Sequence, residues 1–251
     1  MNWYTEAFTG DYLTVYSHRN RDEAQRQIRF VLEHVGHFPG QIVLDLACGN
    51  GRHALELTEQ GYRVVGLDLS THLLSEVRVV AADRRALSLI CGDMRYLPFK
   101  EDSFDLILSM FTSFGYFDVD DENISVLSEV ARLLKPGGSF FMDYLNPERV
   151  KSSLIPESIR RDHGMLIKEK RRINEEKQRV EKEIILEKKG QQTRYRESVR
   201  LFSHVELIEI LSSVGLTVIR KFGDYESSPF SDQSSRMILI SKNFSDNRRG
   251  M

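Results

Sequence analysis

Residues 43–53 read VLDLACGNGRH, and this stretch decides the fold. The continuous apolar run 42–47 is typical of a strand that is covered on both faces of a parallel sheet. Gly49 and Gly51 follow it, and glycines after a strand allow a sharp turn and a close backbone approach to a ligand beside the positive end of a helix. The stretch therefore predicts a nucleotide-type site and leaves open which nucleotide binds.

Strand patterns and helix patterns alternate on both sides of this loop. Because consecutive strands separated by helices favour parallel pairing, we predict an α/β fold with a doubly wound sheet. Ser70 is expected to cap the helix that follows the second strand. The predicted strands are 42–47, 63–69, 86–94, 103–110 and 139–145, and the predicted helices are 22–34, 52–60, 71–82 and 120–134.

The alternation stops after Pro147. Residues 157–200 hold 14 Lys or Arg against 9 Asp or Glu, and three segments in this stretch predict antiparallel strands with one solvated face. We expect them to roof a substrate pocket or to form a dimer contact. A helix over 203–216 and two final strands follow.

The N-terminal segment places Tyr4, Phe8, Tyr12 and Tyr16 four residues apart, which predicts one aromatic stripe on a helix. We expect three parts in the chain. They are an N-terminal helical cap (1–38), a nucleotide-binding core (39–148 and 201–243) and an inserted antiparallel β lid (149–200).

Composition excludes several classes of protein. A net charge of −2 gives no global argument for a nucleic acid or an anionic membrane as partner. The two cysteines, Cys48 and Cys91, are expected to be reduced thiols, and no Cys, His or acid cluster predicts a metal site. The acidic, aromatic N-terminus is unlike a signal peptide, and no apolar run approaches the ~20 residues of a membrane span. We therefore expect a cytoplasmic protein.

Three carboxylates narrow the choice of nucleotide. Asp68, at the end of the second strand, can accept both hydroxyls of a ribose, which fits NAD and S-adenosylmethionine equally. Asp45, inside the first strand, would repel a pyrophosphate and attract an ammonium or a sulfonium. Asp93 can accept from the exocyclic amine of adenine while Met94 packs on the ring. The pattern therefore favours S-adenosylmethionine.

A dehydrogenase remains the competing interpretation. Tyr96 and Lys100 match the spacing of the catalytic pair of short-chain dehydrogenases. That pair needs a helical turn to bring its side chains together, and Pro98 lies between them. The spacing therefore gives this interpretation little support.

The chain resembles the class I, Rossmann-like methyltransferases that use S-adenosylmethionine, in a bacterial subgroup of small methyltransferases. VLDLACGNGRH, VVGLDLS, CGDMRYLPF, FDLILSMFTSFGYF and LLKPGGSFFMDYLN stand in the family's order, and they cover 40–146 closely. The resemblance implies a seven-stranded sheet whose last strand is antiparallel, with the inserted β lid added to it. It also implies a set of cofactor-binding residues: Tyr12, Arg19, Asp45, Ala47, Gly49, Gly51, His53, Asp68, Leu69, Asp93, Met94, Met110 and Phe111.

The expected reaction is methyl transfer to an N or O atom of a small molecule. Tyr116 and Asn146 follow the fourth and fifth strands, where the crevice of an open parallel sheet lies, and they are the expected substrate contacts. No catalytic base can be named. The alternatives are an RNA methyltransferase that uses the basic lid, or a protein that binds S-adenosylmethionine without catalysis. We expect no nucleic acid or membrane partner, and a monomer or a homodimer.

Overall fold

The computed structural model describes residues 3–8, 10–16, 20–36, 38–81, 84–162, 164–188 and 190–244. The helices are α1 (Trp3–Ala7), α2 (Gly10–Val15), α3 (Arg21–Val35), α4 (Arg52–Glu59), α5 (Thr71–Val80), α6 (Asp120–Leu133), α7 (Pro147–Ser153) and α8 (His204–Ser213). The strands are β1 (Ile42–Leu46), β2 (Arg63–Asp68), β3 (Leu87–Cys91), β4 (Phe104–Ser109), β5 (Leu134–Leu145), β6 (Glu157–Asp162), β7 (Met165–Asn174), β8 (Arg179–Lys188), β9 (Gln191–Arg200), β10 (Leu216–Phe222) and β11 (Arg236–Asn243).

Seven strands form the central sheet in the order β10-β11-β5-β4-β1-β2-β3. The strands β1 to β5 are parallel, and β11 runs antiparallel to both of its neighbours. The predicted fold class, with its antiparallel last strand, is confirmed.

Both faces of this sheet are buried under helices, which explains the continuous apolar strands. Leu44 of β1 packs with Val126 of α6 on one face. Val43, the preceding residue, packs with Val31 of α3 and Leu57 of α4 on the other face. Successive strand residues point to opposite faces, so a strand between two helix layers has to be apolar throughout.

The inserted segment forms a second sheet of four antiparallel strands, in the order β6-β7-β8-β9. The sequence predicts three strands there and misses β6, whose residues read ESIRRD. The single large apolar residue of β6, Ile159, is exposed, so this strand has no apolar face from which to predict it. Ion pairs hold it to β7 instead, such as Arg160 with Glu169 at 2.8 Å. Residues 147–153, at the start of the insertion, form α7.

The N-terminal aromatic segment forms two short helices, and the prediction of one continuous helix is wrong. The second helix starts at Gly10, and glycine lowers helix stability in the middle of a helix. Tyr4 contacts Phe117 with ring centroids 5.3 Å apart, and Trp3 contacts Tyr116 at 4.9 Å. The segment therefore packs on the loop after β4. Among the residues that the structure describes, no helix is long and apolar enough to cross a membrane.

Candidate active site

The loop after β1 turns on residues with positive φ. Ala47, Gly49 and Gly51 have φ values of 59°, 56° and 69°. A Cβ on Gly51 would lie 2.7 Å from Cγ1 of Val77, so only glycine fits there, whereas a Cβ on Gly49 would meet no atom within 4 Å. Gly51 precedes α4, whose first turn receives no side-chain cap. Uncapped N–H groups at a helix start can bind a ligand.

Asp68 ties the end of β2 to this loop. Its carboxylate accepts hydrogen bonds from the backbone N–H of Gly49 at 2.7 Å and of Ser70 at 2.8 Å. Burial raises the pKa of Asp68. Ser70 caps α5, as predicted, and its hydroxyl donates to the carbonyl of Phe8 at 2.6 Å. Asp68 therefore stands where the glycine loop, β2 and the N-terminal segment meet.

A small cavity of about 70 Å³ opens beside Asp68. Its walls bring together seven of the sequence-predicted residues, namely Ala47, Gly49, Asp68, Leu69, Asp93, Met94 and Tyr116, along with aromatic residues of the N-terminal segment and the loop after β4. Apolar walls with a few carboxylates suit an adenosine.

Asp93 is engaged more tightly than the sequence predicts. Burial raises its pKa, but hydrogen bonds from Arg95 outweigh burial, and the pKa is lowered. The Arg95 guanidinium lies 2.6 Å from Oδ2 of Asp93, bonds Glu122, and stacks over Phe117 at 4.5 Å. Arg95 therefore holds the Asp93 carboxylate ionised at the edge of the cavity.

A second cavity of about 510 Å³ continues from the first, because both share Phe8, Ala47, Gly49, Ser113 and Tyr116. The loops after β1 and β4 form one side of it, where the predicted residues His53, Met110 and Phe111 lie. Residues of the N-terminal segment and of the second sheet also line it, among them Tyr16, Val180, Lys182, Glu197 and Val199.

Phe111 is held in a strained conformation in this second cavity. Phe111 and Thr112 have φ values of 59° and 65°, which non-glycine residues rarely adopt. Asp143 accepts the Phe111 N–H at 3.1 Å through its carboxylate and the Thr112 N–H at 2.8 Å through its backbone carbonyl. Arg236 bonds that carboxylate at 2.6 Å and the Thr112 hydroxyl at 2.8 Å. Strained backbone that is fixed this thoroughly is characteristic of functional sites.

Helix α3 positions the two polar residues at the start of α4. The imidazole Nε2 of His53 lies 2.7 Å from Oε1 of Gln27, and Arg52 pairs with Glu23 at 2.6 Å. The guanidinium groups of Arg52 and Arg236 lie 5.4 and 5.3 Å from the centre of the Phe111 ring. The site therefore has a rigid floor of one aromatic ring and two paired cations.

Asp45 lies behind the glycine loop and is not a wall residue of either cavity. It is 1% exposed, and its Oδ2 has no hydrogen-bond partner. Burial raises its pKa to about 7, while Arg52 partly opposes the shift. A buried carboxylate with an unpaired oxygen fits a cationic ligand, whose charge would stabilise the ionised form. It does not fit a pyrophosphate. The Asp45 carboxylate therefore favours S-adenosylmethionine, which carries an ammonium and a sulfonium, over a dinucleotide.

Gly51 and Asn146, like Asp45, are predicted residues that line neither cavity. Arg19 and the side chain of Tyr12 lie outside the described residues. Asn146 is 1% exposed and caps α7, and its amide donates to the carbonyls of Ser231, Asp232 and Ser234. These bonds engage the amide fully in holding the loop before β11, so the structure gives Asn146 a role in packing in place of the predicted substrate contact.

The sequence interpretation missed six charged or phenolic wall residues: Tyr16, Arg52, Arg171, Lys182, Glu197 and Arg236. Arg52 had a local signal, since it follows the glycine loop directly. The others come from the N-terminal segment, the inserted sheet and the last strand. Tyr16 and Glu197 are 181 positions apart and bond at 2.7 Å. No local pattern marks a contact of that kind.

Comparisons with known proteins agree with this geometry. Residues 43–138 match the family model described as a methyltransferase domain. The cypemycin N-terminal methyltransferase of a Streptomyces species is 26% identical over 206 residues, which cover 80% of this chain and 82% of that protein. Other curated methyltransferases match over shorter stretches, and the chain covers 60% and 46% of the length of two of them.

Solved structures share the whole fold. The CcbJ methyltransferase from Streptomyces caelestis superposes with a TM-score of 0.84 at 19% identity, covering 98% of this chain and all of that one. CalS10, an amino pentose methyltransferase from Micromonospora echinaspora solved with S-adenosylmethionine bound, gives a TM-score of 0.69 at 19% identity over 92% and 96% of the two chains. Residues 43–138 therefore match a methyltransferase domain, and the chain as a whole has the fold of the class I, Rossmann-like methyltransferases.

Proposed function

We propose that this enzyme transfers the methyl group of S-adenosylmethionine to an N or O atom of a small polar molecule. The observation that carries the proposal is the cavity of about 510 Å³, which joins the small cavity beside Asp68 on one side and is lined by the inserted sheet on the other. Small-molecule sites measure roughly 300–1,000 Å³. In this proposal the insertion at 149–200 is a lid over the acceptor.

The residues of the chain bind and orient both reactants. Asp68 accepts from the ribose, Asp93 and Met94 hold the adenine, and the loop at Gly49 lies along the methionine moiety. The bound donor supplies a methyl group on a sulfonium. An acceptor lone pair attacks the methyl carbon, so that an N–C or O–C bond forms while the C–S bond breaks and its electrons go to sulfur. The acceptor proton leaves to water or a nearby base. Because the donor is already activated, alignment and exclusion of water are the main demands on the protein.

The walls near the loop after β4 meet those demands. Met110 is buried and Phe111 is fixed by Asp143 and Arg236, so that side of the cavity is apolar and rigid. Tyr116 lines both cavities and lies at their junction. We propose Tyr116 as an acceptor contact on this placement.

The names of similar proteins support a small acceptor. CalS10 is described as an amino pentose methyltransferase, and KedS8, a further neighbour of the same fold, as a sugar N-methyltransferase. The charges of the lid point the same way, because several of its bases pair with its own acids. Arg172 pairs with Glu181 at 2.6 Å and Arg171 with Glu169 at 2.7 Å, which reduces the positive charge that the lid offers to a nucleic acid.

The proposal is tested with donor labelled in its methyl group. The protein is incubated with the metabolite fraction of a bacterial extract below about 1 kDa, and separately with total RNA from the same extract. We expect label in the metabolite fraction. Transfer to RNA would contradict the proposal, as would binding of S-adenosylhomocysteine without transfer to any metabolite.

A further inference from the structure

A third cavity, of about 680 Å³, lies on the outer side of the acceptor cavity. The two cavities share four wall residues, namely Trp3, Arg171, Lys182 and Glu197. These side chains therefore stand between the outer cavity and the acceptor cavity. Six acidic and five basic side chains line the outer cavity, so it carries both signs of charge in nearly equal number.

An ion pair forms the centre of this shared wall. Lys182 and Glu197 are cross-strand partners on β8 and β9, and the Lys182 ammonium lies 2.8 Å from a carboxylate oxygen of Glu197. The Tyr16 hydroxyl donates to Glu197 at 2.7 Å and accepts from Lys182. The side chains of Lys182 and Glu197 are only 14% and 18% exposed, so each charge depends on its partner.

A second carboxylate lies within reach of Lys182. Glu169 is 3.6 Å from the Lys182 ammonium, and it also accepts from Arg160 at 2.8 Å and from Arg171 at 2.7 Å. Burial raises the pKa of Glu169, but these three cations outweigh burial and lower it. Lys182 therefore remains near a negative charge when its bond to Glu197 opens, which makes opening less costly.

The charge on this wall restricts what can bind to it. A cationic acceptor would pair with Glu197 and leave Lys182 only Glu169, which Arg160 and Arg171 already engage. An anionic acceptor would pair with Lys182 and leave the Glu197 carboxylate without its cation, and a charge that is mostly buried is costly without a partner. A neutral acceptor gains nothing by opening the pair. An acceptor with one positive and one negative group can pair with both residues at once.

We propose that Lys182 and Glu197 dock a zwitterionic acceptor, a small molecule that carries an ammonium and a carboxylate. The ammonium binds Glu197 and Tyr16, and the carboxylate binds Lys182 and Arg171. The acceptor approaches through the outer cavity and is held at the wall that faces the methyl donor. This inference rests on the proposed function for its biological meaning, but docking itself does not require turnover.

The test is calorimetric binding to the protein saturated with S-adenosylhomocysteine. The probes are the twenty amino acids and a series of ω-amino acids, each compared with its methyl ester, which lacks the carboxylate charge, and its N-acetyl derivative, which lacks the ammonium charge. We expect at least one zwitterion to bind at least tenfold more tightly than both of its derivatives. Binding without methyl transfer would leave the docking pair standing and count against the proposed function.

Variants assign the binding to the pair. Glu197→Gln and Lys182→Met should each weaken zwitterion binding at least tenfold and leave S-adenosylhomocysteine affinity within about twofold. Lys168→Met and Glu187→Gln are the matched controls, because that lid ion pair, 3.6 Å long, lines none of the three cavities. The proposal is overturned if no zwitterion binds, if the esters or N-acetyl derivatives bind equally well, or if the control variants weaken binding as much.

Discussion

Two buried carboxylates lie behind and beside the glycine loop, where we propose that the donor binds. Asp45 lies under the loop with an unpaired oxygen, and Asp68 holds the backbone of Gly49. Burial raises the pKa of both groups. The two acids are therefore stabilised in their ionised form by a ligand that brings positive charge or hydroxyl donors, and this has consequences for stability and for affinity.

Asp45 makes the stability of the ligand-free protein depend on pH. Its pKa is 3.8 in a model peptide and about 7 in the folded protein, so between these values the folded state binds more protons than the unfolded state. The free energy of unfolding due to this group therefore falls as pH rises from about 4 to about 7. We expect Asp45→Asn to remove this fall. Between pH 5 and pH 8 the wild type should lose about 3 kcal/mol more unfolding free energy than the variant, since the fall covers about two pH units at about 1.4 kcal/mol each. Urea unfolding at both pH values measures the difference, and an equal change in both proteins would refute it.

Asp68→Ala should weaken the binding of S-adenosylhomocysteine by about 1.5–3 kcal/mol, through loss of hydrogen bonds from a charged acceptor to the ribose. The variant also frees the Gly49 N–H, so Asp68→Asn, which keeps an acceptor oxygen, should show a smaller loss. Asp102→Asn is the control, because Asp102 is exposed in the turn before β4. Calorimetric titration gives the affinities, and an unchanged affinity in Asp68→Ala would remove Asp68 from the site.

At the scale of the elements, the N-terminal helices and the inserted sheet both act on the site from outside the central sheet. Trp3 donates its indole N–H to the carbonyl of Tyr116 at 3.3 Å, and Phe8 accepts from Ser70. These contacts place α1 over the junction of the two inner cavities.

The single tryptophan of the chain makes this contact measurable. Because the Trp3 ring packs on Tyr116, we expect S-adenosylhomocysteine binding to change Trp3 fluorescence. Trp3→Ala should speed the dissociation of labelled S-adenosylmethionine several-fold, while Tyr96→Ala, which removes a ring that is 76% exposed, should not. Unchanged emission together with an unchanged dissociation rate would show that α1 does not cover the donor.

Helix α8 provides a stability test away from the site. Ser203 and Glu206 form a capping box, in which the Ser203 hydroxyl accepts the Glu206 N–H and the Glu206 carboxylate accepts the Ser203 N–H. Ser203→Ala should lower the free energy of unfolding by about 1 kcal/mol, the usual value of an N-cap, without changing cofactor affinity. Ser212→Ala, at an exposed position of the same helix, is the control. Equal stability of the two variants in urea would contradict the prediction.

For the whole molecule, the parts that could be predicted from sequence are those with local patterns. The strands β1, β2, β4 and β5 are largely buried on both faces, so their apolar runs stand out between amphipathic helices. The glycine loop and Asp68 could also be predicted, because they stand at the ends of the first and second predicted strands. Strand β6 has no such apolar pattern, because ion pairs hold it to β7. In the N-terminal segment the sequence predicts one helix, whereas the structure has two, the second of which starts at Gly10.

The acceptor side was predicted least well, because it is assembled from distant segments. Arg236 and Asp143 are 93 positions apart, and Lys182 reaches Tyr16 across 166 positions. The position of Asn146 after β5 predicts a substrate contact, but its side-chain amide donates hydrogen bonds to carbonyls of the loop before β11. The ion pairs between bases and acids of the lid likewise emerged only from the pairing of its strands.

The central claim is that this loop, with a buried carboxylate behind it, binds a cationic methyl donor and not a dinucleotide. Calorimetric titration of the wild-type protein with S-adenosylhomocysteine and with NAD, in buffers of different ionisation enthalpy near pH 7, tests it most directly. We predict one-site binding of S-adenosylhomocysteine with release of a proton, because the ligand ammonium favours ionised Asp45, and no binding of NAD. Binding of NAD without binding of S-adenosylhomocysteine would contradict it.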